Sequence, residues 1–130
     1  MADLEAQPLC SAAELIERGR AKVFDVLLWG QPARAFVMRF DGALVGYVNR
    51  CAHVPVELDW LPGEFLDREQ RFIVCAVHGA TYNPLDGRCV GGPCGRGKLM
   101  ALSCAELDGL ACWYPSADVR PPLFDKTAAT

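Results

Sequence analysis

Cys51-Ala52-His53 and Cys75-Ala76-Val77-His78 decide how this chain is read. The first is C-x-H, the second C-x-x-H, and twenty-one residues separate them. Together they hold both histidines of the chain. Pro55 and Pro62 follow the first pair and Gly79 follows the second, which places both pairs in loops. Thiolate and imidazole are soft and borderline donors, so four of them on two loops suit zinc or iron–sulfur. Zinc fingers usually keep their cysteines on one knuckle and their histidines on a helix. Here each loop supplies one of each, and no helix is predicted near His78. The C-x-x-C-H signature of covalent haem attachment is absent.

Outward from the loops, the pattern is that of a β scaffold. Lys22 to Trp29, Ala33 to Phe40 and Ala43 to Asn49 are apolar and rich in strand formers. Gly30-Gln31-Pro32 breaks the first from the second, and Asp41-Gly42 makes a tight turn, so the three form a meander. Short strands are expected at Glu64 to Leu66, Arg71 to Cys75 and Arg88 to Val90. A last hairpin, Leu99 to Ser103 with Leu110 to Tyr114, turns at Asp108-Gly109. Ser11 followed by Glu14 has the capping-box spacing, which predicts a short helix over about 12–18. The expected fold is therefore mostly β, with small antiparallel sheets and little helix.

Bulk composition narrows the function classes. The chain has 130 residues, 52% hydrophobic and 22% charged, with a formal net charge of −3. That fits one soluble domain with a real core and lacks the basic footprint of a nucleic-acid binder. No apolar run is long enough to span a membrane, and Met1 to Gln7 has no secretory pattern. A cytoplasmic protein is expected. Seven cysteines in such a chain are metal ligands or buried small hydrophobes rather than a disulfide framework.

A two-iron cluster accounts for the Cys/His alternation better than zinc. One iron takes two thiolates, the other two imidazoles, and each loop serves both irons. At this point the chain resembles the Rieske 2Fe–2S proteins. The resemblance rests on the four ligands, on His78-Gly79-Ala80-Thr81-Tyr82, on Asp86-Gly87, and on Gly91-Gly92-Pro93, where that family has its Gly/Pro loop. It implies one Rieske domain over 1–115, with a cluster-binding subdomain of two loops at about 50–95 and a loosely held tail over 116–130. It implies one 2Fe–2S cluster per chain, bound by Cys51, His53, Cys75 and His78.

The resemblance also suggests a branch. Respiratory Rieske proteins join the loops by a disulfide at positions that here are Val56 and Val77, and carry a serine where this chain has Ala80. Neither the disulfide nor that hydroxyl donor is possible here. Tyr82 matches the residue whose phenol bonds a ligand sulfur, and Pro93 belongs to the covering loop. These features point to a soluble, lower-potential Rieske-type ferredoxin, the ferredoxin component of an aromatic ring-hydroxylating oxygenase system. Such a protein is an electron-transfer component rather than a catalyst. It takes electrons from a flavin-dependent reductase and passes them to a terminal oxygenase, docking near His53 and His78, with Val54, Pro55 and Val77 as apolar contact area. No nucleic acid or membrane is expected as a partner. The alternatives are a Rieske-like small subunit of a larger oxidoreductase, such as assimilatory nitrite reductase, and a redox-sensing regulatory binder switched by Cys89 and Cys94. For that cysteine pair, packed thiols are the preferred reading, with a redox disulfide or a second ligand set as alternatives. Cys10, Cys104, Cys112, Trp60 and Trp113 read as packing residues. Glu57 and Asp59 read as a solvated loop face, or as a contact for a basic partner.

Overall fold

The computed structural model describes residues 6–52, 56–59, 61–77, 79–93 and 95–122. Ten strands fall in two antiparallel sheets. The central meander is β2 (Lys22–Leu28), β3 (Gln31–Phe40) and β4 (Ala43–Val48). With β1 (Gln7–Ser11), β8 (Ala101–Leu107), β9 (Leu110–Tyr114) and β10 (Val119–Arg120) it forms a seven-stranded sheet in the order β1-β9-β8-β4-β3-β2-β10. The second sheet holds β5 (Ile73–Val74), β6 (Thr81–Tyr82) and β7 (Cys89–Gly91), in that order. The mostly β, antiparallel architecture expected from the sequence is the one observed.

Three tight turns set the register of the large sheet. Asp41-Gly42 and Asp108-Gly109 both have positive φ at their two residues, 52° and 78°, then 51° and 78°. That is the type I′ signature, whose twist matches the flanking strands. Trp29-Gly30 repeats it at 50° and 79°. The predicted break at Gly30-Gln31-Pro32 is accordingly shorter than expected, because β3 begins at Gln31 and Pro32 pairs with Leu27.

The helix expected over 12–18 does not form; only Ala12–Glu14 make a 3-10 turn. Its entry is as predicted, with the Ser11 N–H donating to Glu14 Oε2 at 3.1 Å. Its exit is decided from β3. Arg39 Nε donates to Leu15 O at 2.8 Å and Arg39 Nη2 to Ala12 O at 3.1 Å. These carbonyls are satisfied by a guanidinium from the sheet, and Leu15 turns extended and is buried with Val37 and Ala111. Tertiary contact overrides the local helix signal.

The tail expected from 116 onward is held for its first part. Val119 is buried and pairs with Leu28, while the Trp29 N–H donates to Asp118 O at 2.9 Å. Cys112 and Trp113 pack inward as expected, and the Trp113 ring lies 5.3 Å from Phe24. Burial pushes the half-buried Cys104 thiol up to about 12, in keeping with a packing role.

The main core lies between the two sheets. Phe36, Met38 and Tyr47 from the large sheet meet Phe65, Ile73 and Tyr82 from the small sheet and its approaches. Phe36 and Phe65 stack with centroids 3.7 Å apart. Each fully buried side chain of this size stabilises the fold by about 1.5–3 kcal/mol. Tyr47 also donates its hydroxyl to Pro84 O at 2.6 Å, tying the far loop of the small sheet to the large one.

Candidate metal centre

Cys51 leaves the end of β4 and Cys75 leaves the end of β5. Both are reduced thiols, and both are buried, with 3% and 1% of their surface exposed. They belong to the same core cluster as Tyr82, Ala80 and Leu58. The expected ligands His53 and His78 lie outside the described residues, as do Val54, Pro55, Trp60 and Cys94. Among the described residues no group of three ligating side chains assembles.

Backbone hydrogen bonds close each loop. In the first, the Cys51 N–H donates to Val56 O at 2.8 Å. In the second, Cys75 N–H donates to Ala80 O at 2.8 Å and Gly79 N–H to Cys75 O at 2.9 Å. Of the residues expected around the centre, Val56 is half-buried against the core, Ala80 is fully buried and Val77 is exposed. The apolar pair expected to replace an inter-loop disulfide therefore divides, one partner packing inward and the other facing solvent.

A polar pair that the sequence did not reveal frames the first loop, and a backbone hydrogen bond joins that loop to the second. Asn49 is buried at 5% exposure. Its Oδ1 accepts the Leu58 N–H at 2.7 Å, and its Nδ2 donates to Asp59 Oδ1 at 3.0 Å. Asp59 Oδ2 in turn accepts the Gly63 N–H at 3.2 Å. Leu58 O then receives the Ala76 N–H, from the second loop, at 3.0 Å. Asp59 is thus part of the loop frame rather than a solvated face. Glu57 remains exposed, 3.3 Å from Arg34 Nε, an ion pair worth little in solvent. A short Asx-type signal from Asn49, two residues before Cys51, is the only trace of this frame in the sequence.

Tyr82 sits against the first loop from β6. Its hydroxyl oxygen is 3.3 Å from Cys51 Sγ and accepts the Ala52 N–H at 3.0 Å. With its oxygen accepting the Ala52 N–H, the phenol keeps its own proton free to point at sulfur. Burial first, and then the Cys51 contact, push the Tyr82 hydroxyl far above its ordinary value. Tyr82 therefore stays protonated as a permanent donor.

The Gly91-Gly92-Pro93 segment lies on the second loop. A Cβ built on Gly92 would fall 2.7 Å from Gly79 O and 2.9 Å from Ala80 Cα, and Gly92 has φ of +79°. Only glycine permits this backbone and this approach. Pro93 itself is exposed in the following turn.

Buried thiols with a phenol donor beside them, on two loops fixed to each other, fit the thiolate half of a two-iron cluster. A bound cluster would take these two cysteines as thiolate ligands.

Comparison with known proteins identifies the class. The Rieske [2Fe-2S] domain model matches residues 5–114. The chain belongs to the Rieske [2Fe–2S] domain family and is of the kind that carries one 2Fe–2S cluster. Among solved structures, the ferredoxin of carbazole 1,9a-dioxygenase from Nocardioides aromaticivorans IC177 superposes with a TM-score of 0.67 at 19% identity, over 85% of this chain and 98% of that one. A chain of the reduced complex between oxygenase and ferredoxin in carbazole 1,9a-dioxygenase matches with a TM-score of 0.69 at 27% identity, over 91% of this chain. The terminal oxygenase of that dioxygenase from Nocardioides aromaticivorans IC177 matches with a TM-score of 0.68 at 22% identity, over 92% of this chain. This chain spans 30% and 32% of those last two. A search of curated protein sequences finds no match. No helix among the described residues is long and apolar enough to cross a membrane.

Proposed function

We propose that this chain is a one-electron carrier that receives electrons from a flavin-dependent reductase and delivers them to a terminal oxygenase, with Cys51, His53, Cys75 and His78 as the cluster ligands. A bound 2Fe–2S cluster supplies reversible one-electron chemistry at iron. The observation that carries the reading is an asymmetry across the two loops. Cys51 and Cys75 are buried, whereas their neighbours Ala52, Ala76, Val77 and Gly79 are exposed. The thiolate side faces the core, and the residues flanking His78 face solvent, Val77 with 59% of its surface.

Each residue then has a task. Cys51 and Cys75 anchor the group to the fold. The Asn49–Asp59 pair keeps the loops in register so that little rearrangement accompanies a change of charge. Tyr82 directs its proton at sulfur and favours the more negative, reduced state. Val77 offers an apolar contact for a partner that docks over the loops, in the weak and transient manner of redox encounters. Both histidines of these 130 residues lie in the two motifs, so none remains for a separate mononuclear iron within them. The partner class is supported by likeness, at 27% identity, to a larger chain of a complex that joins an oxygenase to a ferredoxin, of which this chain spans 30%.

Reconstitution tests this. Purified protein, reduced by a flavoprotein reductase, should re-oxidise on mixing with a ring-hydroxylating oxygenase, and Val77→Glu should slow that step without changing the potential. Re-oxidation that is equally fast with the oxygenase left out would remove the proposal.

A further inference from the structure

Cys89 and Trp29 both depart from what the sequence suggests. Cys89, expected as a packed thiol, is disulfide-bonded. Trp29, expected to end a strand, stands in a tight turn with φ of 50°. A bulky side chain is costly in that left-handed conformation, which Asn or Gly takes readily. Burial does not offset the cost, because Trp29 exposes 58% of its surface.

The exposed ring is nonetheless held in place. Its Nε1–H donates to Asp118 Oδ1 at 3.1 Å, and the Arg50 guanidinium carbon lies 5.5 Å from the ring centroid. Ring and guanidinium are two walls of a cleft of about 300 Å³, completed by Pro32, Arg34, Val56 and Glu57. Arg50 directly precedes Cys51, whose N–H donates to Val56 O. The cleft therefore opens on the first motif loop.

Its lining carries an excess of positive charge. Glu57, the one carboxylate in the lining, faces Arg34 at 3.3 Å. Asp118 meets the indole nitrogen and lines no part of the cleft. Among the described residues Arg50 forms no ion pair. Trp and Arg side chains in a pocket are the groups that carry most of the binding energy at protein interfaces. A carboxylate can accept two parallel hydrogen bonds from a guanidinium such as that of Arg50, and the methylenes of an acidic side chain can lie on the indole face.

We propose that the Trp29–Arg50 cleft is a docking pocket for an acidic side chain, Asp or Glu, on the surface of the terminal oxygenase. The inference rests on the proposed electron delivery and names the chemistry by which the acceptor is recognised. The strained turn is kept because it presents the ring to the partner, beside the loop that carries Cys51.

The test mixes reduced, cluster-loaded protein with a ring-hydroxylating oxygenase below saturation. Trp29→Asn and Arg50→Gln should each slow re-oxidation roughly tenfold, as loss of an interface anchor does. Re-oxidation by a small uncharged quinone should be unchanged in both. Trp29→Asn should melt no lower than the parent, since Asn suits the left-handed position. In Arg50→Lys, a carbodiimide should couple the new amine to an Asp or Glu of the oxygenase, read from the cross-linked tryptic peptide. A parent protein that passes no electrons to the oxygenase would remove the delivery reading and this inference with it. Transfer by the parent, with undiminished rates in the variants, would overturn this inference alone. So would an equal slowing with the quinone, a clearly lower melting point for Trp29→Asn, or a cross-link confined to Glu57 of the same chain.

Discussion

The Tyr82 hydroxyl oxygen stands 3.3 Å from Cys51 Sγ while accepting the Ala52 N–H at 3.0 Å. A ligating thiolate carries no proton, so in the cluster-loaded protein the phenol is the donor of this contact. A donor to a ligand sulfur stabilises the reduced state, which carries more negative charge. Tyr82→Phe should therefore lower the reduction potential. A hydrogen bond worth about 1 kcal/mol corresponds to roughly 40 mV for one electron. Protein-film voltammetry of the two proteins measures it, and a potential that stays put or rises argues against the donor role.

Asn49 and Asp59 hold the two motif loops in register through Leu58 and Ala76. Asn49→Ala removes both side-chain hydrogen bonds and leaves the Leu58 N–H without its acceptor. The expected cost is about 1–3 kcal/mol, read as a lower denaturant midpoint, together with faster cluster loss. Asn49→Asp keeps the acceptor but sets a second carboxylate against Asp59, so it should also destabilise, read as a lower denaturant midpoint.

Gly92 approaches Gly79 and Ala80 too closely for any side chain. Gly92→Ala should cost about 1–3 kcal/mol through positive φ and the clash together. Gly95, which also has positive φ but has open space around its Cβ position, provides the control. Gly95→Ala should cost less in the same thermal melt, because only the backbone term applies.

Burial pushes the Tyr47 hydroxyl up to about 12, whereas in an unfolded chain it ionises near ~10. Between those values the unfolded state binds fewer protons than the folded one, so stability falls as pH rises through that window. Below it the contribution is fully present. Urea midpoints measured from pH 9 to pH 12 should show the fall. Tyr47→Phe should flatten part of it while losing about 1 kcal/mol at neutral pH, where Pro84 O goes unpaired.

Much of this fold is legible in the sequence, for identifiable reasons. The meander announces itself because long apolar runs alternate with Asp-Gly turns whose geometry has few substitutes. The Cys/His pairs stand out because their chemistry is rare. What escapes is structure decided at a distance. Two-residue strands such as Thr81–Tyr82 and Val119–Arg120 exist only because a partner strand is in place, and no local periodicity can mark them. The helix signal at Ser11 to Glu14 is real, yet Arg39 from β3 takes the carbonyls that would have continued it. Trp29 occupies a left-handed turn position that sequence preference assigns to Asn or Asp. Asn49 and Asp59 look like ordinary loop residues, and their pairing emerges only when the chain between them folds back.

The central claim is a two-iron cluster held by Cys51, His53, Cys75 and His78, and metal analysis joined to spectroscopy tests it most directly. Iron and acid-labile sulfide should be present at two of each per chain, as the family's [2Fe-2S] cluster requires. The reduced protein should give the EPR spectrum of a cluster with unlike irons, and His53→Cys should keep its iron while its spectrum moves towards the all-thiolate type. Stoichiometric zinc without sulfide, or a His53→Cys spectrum identical to that of the parent, would contradict the account.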